Sequence, residues 1–138
     1  MSNCILVELN FNYHKFWVIL LPHIFQDLTF KDFEERTEDE FDWVVDVNLK
    51  GVFFDIQTYV NLFDEHGGQQ GSIINIGSTY GVVSPDFRNY TDLPRKNSEV
   101  YGATKAGVIQ MTKYFSVHLA DRNIRVNCVS PGGILNPD

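Results

Sequence analysis

The fold is decided by one stretch of sequence, Gly71-Ser72-Ile73-Ile74-Asn75-Ile76-Gly77-Ser78-Thr79-Tyr80-Gly81. Its apolar part, 72–76, is short and bounded by glycines, which predicts a buried strand. A second such run, 124–130, follows the turn residues Asp121-Arg122-Asn123 and ends at Pro131. Because a helical pattern precedes each run and the connections are short, the order helix, strand, helix, strand predicts an α/β fold with parallel strands.

Two long helices are predicted, one before each strand. The first spans 38–63 and starts at a capping box, Thr37-Glu38-Asp39-Glu40, in which threonine and glutamate side chains satisfy backbone amides. The second spans 98–120 and is capped by Asn97 or Ser98. Each carries one face at helical spacing. These faces are Phe41, Val45, Asn48, Val52 and Ile56 on the first helix, and Val108, Met111, Phe115 and Leu119 on the second.

Composition limits the classes of function. The 138 residues are 43% hydrophobic and 21% charged, which is typical of one globular domain. The net charge is −7 and there is no cluster of lysine or arginine, so nucleic acid and anionic membrane surfaces are not expected partners. A small molecule is the partner that we expect.

The positions of cysteine and histidine and the hydropathy pattern argue against a metal site, a membrane-spanning helix and a signal peptide. Cys4 and Cys128 stand near opposite ends and the histidines are scattered, so we expect no metal site and two free thiols in a reducing cytoplasm. The apolar run 16–21 ends at Pro22, far short of the roughly 20 residues of a spanning helix. It also lacks the small-residue cleavage site of a signal peptide. The expected location is therefore the cytoplasm.

Tyr101 and Lys105 stand four residues apart in Tyr101-Gly102-Ala103-Thr104-Lys105 and share one face of the second helix. A phenol has an unperturbed pKa near 10, and a positive charge one turn away lowers that pKa. Ser78 follows the first strand, at the edge where ligands gather in open α/β sheets. Its hydroxyl can hold a substrate oxygen beside Tyr101. Together these residues predict proton transfer to or from an oxygen.

Each candidate residue also has a structural interpretation. Tyr101 and Lys105 are then surface residues of an amphipathic helix, and Ser78 is an ordinary turn serine. Asn48, on an apolar face, is then a core asparagine bonded to a neighbouring strand, since an unsatisfied buried amide costs roughly 1–3 kcal/mol. The small residues within 102–107 allow close packing against either the sheet or a helix of a second subunit.

Four motifs, in this order, resemble the short-chain dehydrogenase/reductase family over about residues 33–138: Asn48-Leu49-Lys50-Gly51, the 71–81 stretch, 101–105 and 125–133. The resemblance implies part of a doubly wound, Rossmann-like parallel sheet with flanking helices. It also implies an NAD(P)-dependent oxidoreductase that transfers hydride between nicotinamide and a small-molecule carbonyl or alcohol. NAD and NADP are not distinguished.

The resemblance further implies roles for single residues. Tyr101 gives or takes the proton, Lys105 supports it and holds the nicotinamide ribose, and Ser78 holds the substrate oxygen. Asn48 holds a water that relays protons to the lysine. The helices 38–63 and 98–120 pair in a homo-oligomer. The expected catalytic set is Asn48, Ser78, Tyr101 and Lys105, and the expected cofactor-binding set is Tyr101, Lys105, Pro131, Gly132 and Ile134. The structural interpretation of the 131–134 stretch is a simple turn.

The sequence also departs from the family's pattern. The family has a glycine-rich turn for the pyrophosphate and an Asn-Asn-Ala-Gly after its fourth strand, and neither occurs here. Residues 1–32 are interpreted as an atypical segment with one strand-like run, Ile5-Leu6-Val7, and 33–138 as the catalytic-half portion of the domain. Gly77 stands where the family often has a serine. The final residue, Asp138, stands where a substrate lid is expected to follow.

Two further functions are consistent with these features. The first is a truncated, non-catalytic remnant that acts only through association, since half of a doubly wound sheet exposes an apolar edge. The second stays inside the family. The 23 positions from Ser78 to Tyr101 exceed the usual spacing and resemble nucleotide-sugar epimerases and dehydratases. A reductase of surface-sugar or flagellin modification combines this long loop with the ordinary reductase motifs.

Overall fold

The computed structural model describes residues 5–11, 14–20, 32–90 and 98–133. Its central element is a parallel pair of strands, β3 (Gly71–Ile76) and β4 (Ile124–Val129), in a register that runs from Gly71 opposite Ile124 to Ile76 opposite Val129. The predicted parallel arrangement is confirmed. Because parallel strands end at the same edge of a sheet, the residues that follow β3 and β4 lie side by side.

An antiparallel hairpin precedes this pair. Its strands are β1 (Ile5–Phe11) and β2 (His14–Leu20), and β2 lies alongside β3. The sequence predicts one short strand-like run here, Ile5-Leu6-Val7, whereas the structure has two strands of seven residues each. Aromatic and β-branched residues favour strands even without strict alternation, and the absence of alternation is what hid the second strand in the sequence.

The first predicted helix consists of three parts. α1 (Glu38–Val45) and α2 (Gly51–Glu65) are joined by a π-helical turn, Asp46–Lys50. The capping box is confirmed, because Thr37 Oγ1 accepts from the Glu40 amide at 3.3 Å and the Glu40 carboxylate accepts from the Thr37 amide at 2.9 Å.

The π turn changes which face of this helix is buried. The expected continuous face from Phe41 to Ile56 is wrong at its start, where Val44 is 1% exposed and Phe41 is 48% exposed. A π turn closes its hydrogen bonds over five residues rather than four and so rotates the following helix. The apolar spacing across 46–50 consequently does not follow one regular α-helical face.

The second predicted helix is α3 (Glu99–His118), and Ser98 is its N-cap, accepting from the Tyr101 amide at 3.4 Å. It connects β3 to β4 and packs on both strands. Its predicted apolar stripe is confirmed, since Val108 and Leu119 are fully buried and Met111 and Phe115 pack against them. The core contains Val52, Ile56, Tyr59, Phe63, Ile73, Val108, Leu119, Ile124 and Val126.

Candidate active site

The candidate site lies at the carboxyl ends of β3 and β4. Past the end of the ladder, the Gly77 amide donates to the Val129 carbonyl at 2.7 Å, and the Thr79 amide donates to the Pro131 carbonyl at 3.0 Å. These two bonds hold the segment after β3 against the segment after β4. The backbone that carries the site is therefore held in place by hydrogen bonds between the ends of the two strands.

Ser78 lies in this anchored segment and is 7% exposed. Its side chain caps the short 3-10 turn Thr79–Gly81 by accepting from the Tyr80 amide at 3.2 Å. The Ser78 side chain is also hydrogen-bonded to the phenol of Tyr101. The structure thus brings together two of the residues expected to act on one substrate oxygen.

Tyr101 lies in the first turn of α3 and is half-buried. Burial raises the pKa of its phenol above the ordinary value of 10.0, and the hydrogen bond from Ser78 opposes that rise by a smaller amount. The phenol therefore keeps its proton at neutral pH. In this state it is a proton donor.

Lys105 lies one turn after Tyr101 and is 3% exposed. Its Nζ donates to the Ile76 carbonyl at 2.9 Å and lies 5.6 Å from the centroid of the Tyr101 ring. Burial lowers the pKa of this ammonium, and the nearby Cys128 thiol has a smaller, opposite effect.

The expected net lowering of the Tyr101 pKa is therefore wrong for this structure, because burial of the phenol has the larger effect. The ammonium points at a backbone carbonyl and over the face of the ring, and burial of the phenol dominates its pKa. The four-residue spacing placed the two side chains correctly on one face. It carried no information about how deeply the sheet edge buries them.

Asn48 lies within the π turn, half-buried, and its Nδ2 donates to Thr104 Oγ1 at 3.4 Å. The Thr104 hydroxyl in turn donates to the Tyr101 carbonyl at 2.8 Å. Asn48 is thus bonded to the helix that carries Tyr101, not to a neighbouring strand. Its expected role in holding a water stays a prediction.

Thr104 is a residue of the site that the sequence interpretation missed. It is 2% exposed and connects Asn48 to the backbone of α3 at Tyr101. A signal was present, because position 104 follows 101 by three residues and precedes 108 by four, which places a hydroxyl on the buried face of the helix.

Two of the three expected residues after β4 are described. Pro131 bonds to Thr79 through its carbonyl, and a methyl group on Gly132 would lie 3.8 Å from Thr79 Cγ2. Both therefore lie beside the turn that follows Ser78. Ile134 lies outside the described residues.

Gly77 has a packing reason for the absence of a side chain. A Cβ at this position would lie 2.8 Å from both Cys128 Sγ and Ser130 Oγ. The side chains of Cys128 on β4 and of Ser130 just beyond it therefore fill the space that the family's usual serine would need.

The buried ammonium fits the ribose of a nicotinamide cofactor. An ammonium has three N–H donors, and among the described residues the Ile76 carbonyl is the acceptor that the structure gives Lys105. Two donors remain for ribose hydroxyls. The residues that would hold this half of NAD(P) are Tyr101, Lys105, Pro131 and Gly132.

The described part of the chain lacks two other structural features. No three His, Cys, Asp or Glu side chains in it come together as a metal site. None of the helices in the same residues has the length and apolar character needed to cross a bilayer.

Comparisons with known proteins identify one family. A family model for short chain dehydrogenases matches residues 28–137. The 3-oxoacyl-(acyl-carrier-protein) reductase FabG of Thermotoga maritima is 43% identical over 101 residues, which are 72% of this chain and 36% of that protein. The 7alpha-hydroxysteroid dehydrogenase of Bacteroides fragilis is 35% identical over 99 residues, 72% of this chain and 34% of that protein.

Solved structures show the same fold with cofactor. A short chain dehydrogenase from Leptospira borgpetersenii with bound NAD+ matches with a TM-score of 0.70 and 48% identity, over 78% of this chain and 40% of that one. ElxO with NADP bound matches with a TM-score of 0.60 and 27% identity, over 75% of this chain and 37% of that one.

The chain spans about a third of the length of these curated relatives. Within that span the family's model covers most of the described residues, including Ser78, Tyr101 and Lys105. The fold is correspondingly part of a Rossmann-like α/β sheet. The chain belongs to the short chain dehydrogenase family of oxidoreductases.

Proposed function

We propose that this chain carries the catalytic centre of an NAD(P)-dependent oxidoreductase that interconverts a carbonyl and an alcohol on a small molecule. The observation that carries the proposal is the hydrogen bond between Ser78 and the Tyr101 phenol, with the Lys105 ammonium buried behind them. Two groups can act on one substrate oxygen only if that oxygen lies within hydrogen-bond distance of both.

In carbonyl reduction, Tyr101 is the proton donor. Its raised pKa keeps the phenol protonated, and the developing alkoxide is the base that receives the proton. Ser78 holds the same oxygen through its hydroxyl and so fixes the carbonyl against the phenol. When bound, the nicotinamide supplies the hydride, or accepts it in alcohol oxidation.

Lys105 stabilises the phenolate that remains after proton transfer. Its ammonium lies 5.6 Å from the ring centroid, and a positive charge in a buried site acts more strongly than in water. The bond to Ile76 keeps the side chain in place. Asn48 and Thr104 hold the neighbouring part of α3 through their hydrogen bonds.

We further propose that the protein associates through α2 and α3. The described surface of these helices exposes Phe53, Phe54, Tyr114 and Val117 by 40%, 49%, 60% and 78%. Phe53 also contacts Phe115 with ring centroids 6.1 Å apart, so the two helices form one aromatic surface. Two small residues of α3 pack within the chain, Gly107 on Leu49 and Gly102 on Tyr80, whereas Ala103 and Ala106 are exposed.

The catalytic proposal is tested on a fusion that joins this chain to an amino-terminal half that contains the family's glycine-rich turn. We expect ketone-dependent oxidation of NADH or NADPH, and a loss of 10²–10⁴-fold in Tyr101→Phe, the range for one general acid. Tyr114→Phe, an exposed tyrosine on the same helix, is the control and keeps full activity. Equal rates in the two variants would refute the assignment.

A further inference from the structure

Two glycines lie where the turn after β3 meets α3. A Cβ on Gly81 would lie 2.8 Å from the carbonyl carbon of Lys105 and 2.9 Å from the amide nitrogen of Ala106. A Cβ on Gly102 would lie 3.0 Å from the Tyr80 carbonyl oxygen. The turn and the helix therefore touch backbone to backbone from both sides. A side chain at position 81 would force a shift of the backbone, and one at position 102 would need its neighbour to move by a few tenths of an ångström.

Two hydrogen bonds tie the turn to Ser78. The Gly81 amide donates to the Ser78 carbonyl at 3.0 Å, and Ser78 Oγ accepts from the Tyr80 amide. On the opposite side, Gly102 follows Tyr101 directly on the rigid helix. The separation of turn and helix thus sets the separation of the Ser78 hydroxyl and the Tyr101 phenol.

We propose that Gly81 and Gly102 are positioning residues that hold Ser78 within hydrogen-bond distance of Tyr101. The catalytic consequence of this inference rests on the proposed function. The contact between turn and helix can be tested without measuring turnover. Carbon atoms in contact prefer about 3.5–4.0 Å, so a methyl group at position 81 forces the turn outward by roughly 1 Å. Hydrogen bonds between two hydroxyl oxygens span only about 2.5–3.0 Å, so a displacement of that size breaks such a bond.

Other glycines show that this constraint is local. A Cβ on Gly133 would have no neighbouring atom within 4 Å among the described residues. The clash at Gly77 involves the side chains of Cys128 and Ser130, which can rotate. At Gly81 two of the contacts are backbone atoms of a helix, which cannot yield in that way. Gly133→Ala is therefore the matched control for Gly81→Ala.

The test measures the Tyr101 phenol in the full 138-residue chain by carbon-13 NMR of labelled tyrosine at neutral pH. The Cζ shift reports hydrogen bonding of the phenol oxygen, and Tyr101→Phe identifies its signal among those of the six tyrosines. We expect Gly81→Ala to move this signal to the position found in Ser78→Ala. Gly133→Ala leaves it unchanged, and unchanged signals of Tyr59 and Tyr114, which lie outside the turn, show that each variant is folded.

A double variant makes the assignment specific. In the Ser78→Ala background, Gly81→Ala should cause no further change of the Tyr101 signal, because the bond that it breaks is already gone. If Gly81→Ala does not fold, Gly102→Ala, with a milder contact, should move the signal in the same direction by a smaller amount.

Three results would overturn the inference. The Tyr101 signal could stay unchanged in both glycine variants, or it could stay unchanged in Ser78→Ala. In the double variant, Gly81→Ala could shift the signal as much as it does in the wild-type background. The measurement needs neither cofactor nor substrate. A fusion that reduces no carbonyl, in a protein that shows the coupling, would refute the proposed function and leave the positioning contact supported.

Discussion

The Lys105 ammonium donates a hydrogen bond of 2.9 Å to the Ile76 carbonyl, at the point where β3 ends. This places a positive charge inside the protein with a neutral partner, and no ion pair to it occurs among the described side chains. Burial of an ammonium lowers its pKa and costs stability. The position is consistent with a residue retained for function at the expense of stability.

The first prediction concerns the pH dependence of stability. The pKa of Lys105 is lower in the folded chain than its ordinary value of 10.5, so the unfolded chain binds more protons between those two values. The free energy of unfolding therefore rises with pH in that window. Chemical denaturation at increasing pH should show this rise in the wild type and not in Lys105→Met. Lys113→Met, on an exposed lysine of the same helix, should behave as the wild type.

The second prediction separates two similar hydrogen-bond pairs on α3. Asn48 donates to Thr104 beside the site, and Asn75 donates to Thr112 at 2.9 Å within the core. Thr112→Val should lower the free energy of unfolding by about 1–3 kcal/mol, because it leaves the buried Asn75 amide without its partner, and Thr104→Val should lower it by less, because Asn48 is half-buried. Only Thr104→Val should also reduce turnover of the fusion by about tenfold or more. Equal turnover in both variants would contradict the role of Thr104.

Local patterns in the sequence were sufficient for several of these elements. Thr37 and Glu40 specify a helix start by themselves, and the runs that became β3 and β4 are bounded by turn residues. The π turn at 46–50 left no such signal, since it changes hydrogen bonding without a characteristic residue. The pKa of Tyr101 was also out of reach, because burial at a sheet edge depends on residues far apart in the chain.

The third prediction concerns the cofactor. Tyr101, Lys105 and Pro131 to Gly132 contribute to the nicotinamide-ribose half of a site, and the glycine-rich turn that would supply helix-terminus amides to the pyrophosphate does not occur in residues 1–138. Calorimetry should detect no submillimolar affinity for NAD or NADP in this chain, and clear binding in the fusion. Lys105→Ala should weaken that binding. Tight binding by residues 1–138 alone would show that another segment holds the pyrophosphate.

The fourth prediction concerns association through the aromatic surface of α2 and α3. Sedimentation velocity should show a dimer or larger species for the wild type, and a monomer for Phe54→Glu and Tyr114→Glu, because a buried unpaired charge is costly in an interface. Phe33→Glu, at a residue that is 72% exposed outside these helices, is the control and should associate normally. A wild-type chain that stays monomeric would remove this proposal.

The most direct measurement follows the hydride and the proton in one reaction. The fusion is given a ketone and a nicotinamide cofactor deuterated at the transferring position, and the alcohol is analysed by mass spectrometry. The account predicts one deuterium on the carbinol carbon, and at least 10²-fold less product in Tyr101→Phe than in Tyr114→Phe. An alcohol without deuterium, or equal product from the two variants, would contradict a hydride transfer in which Tyr101 supplies the proton.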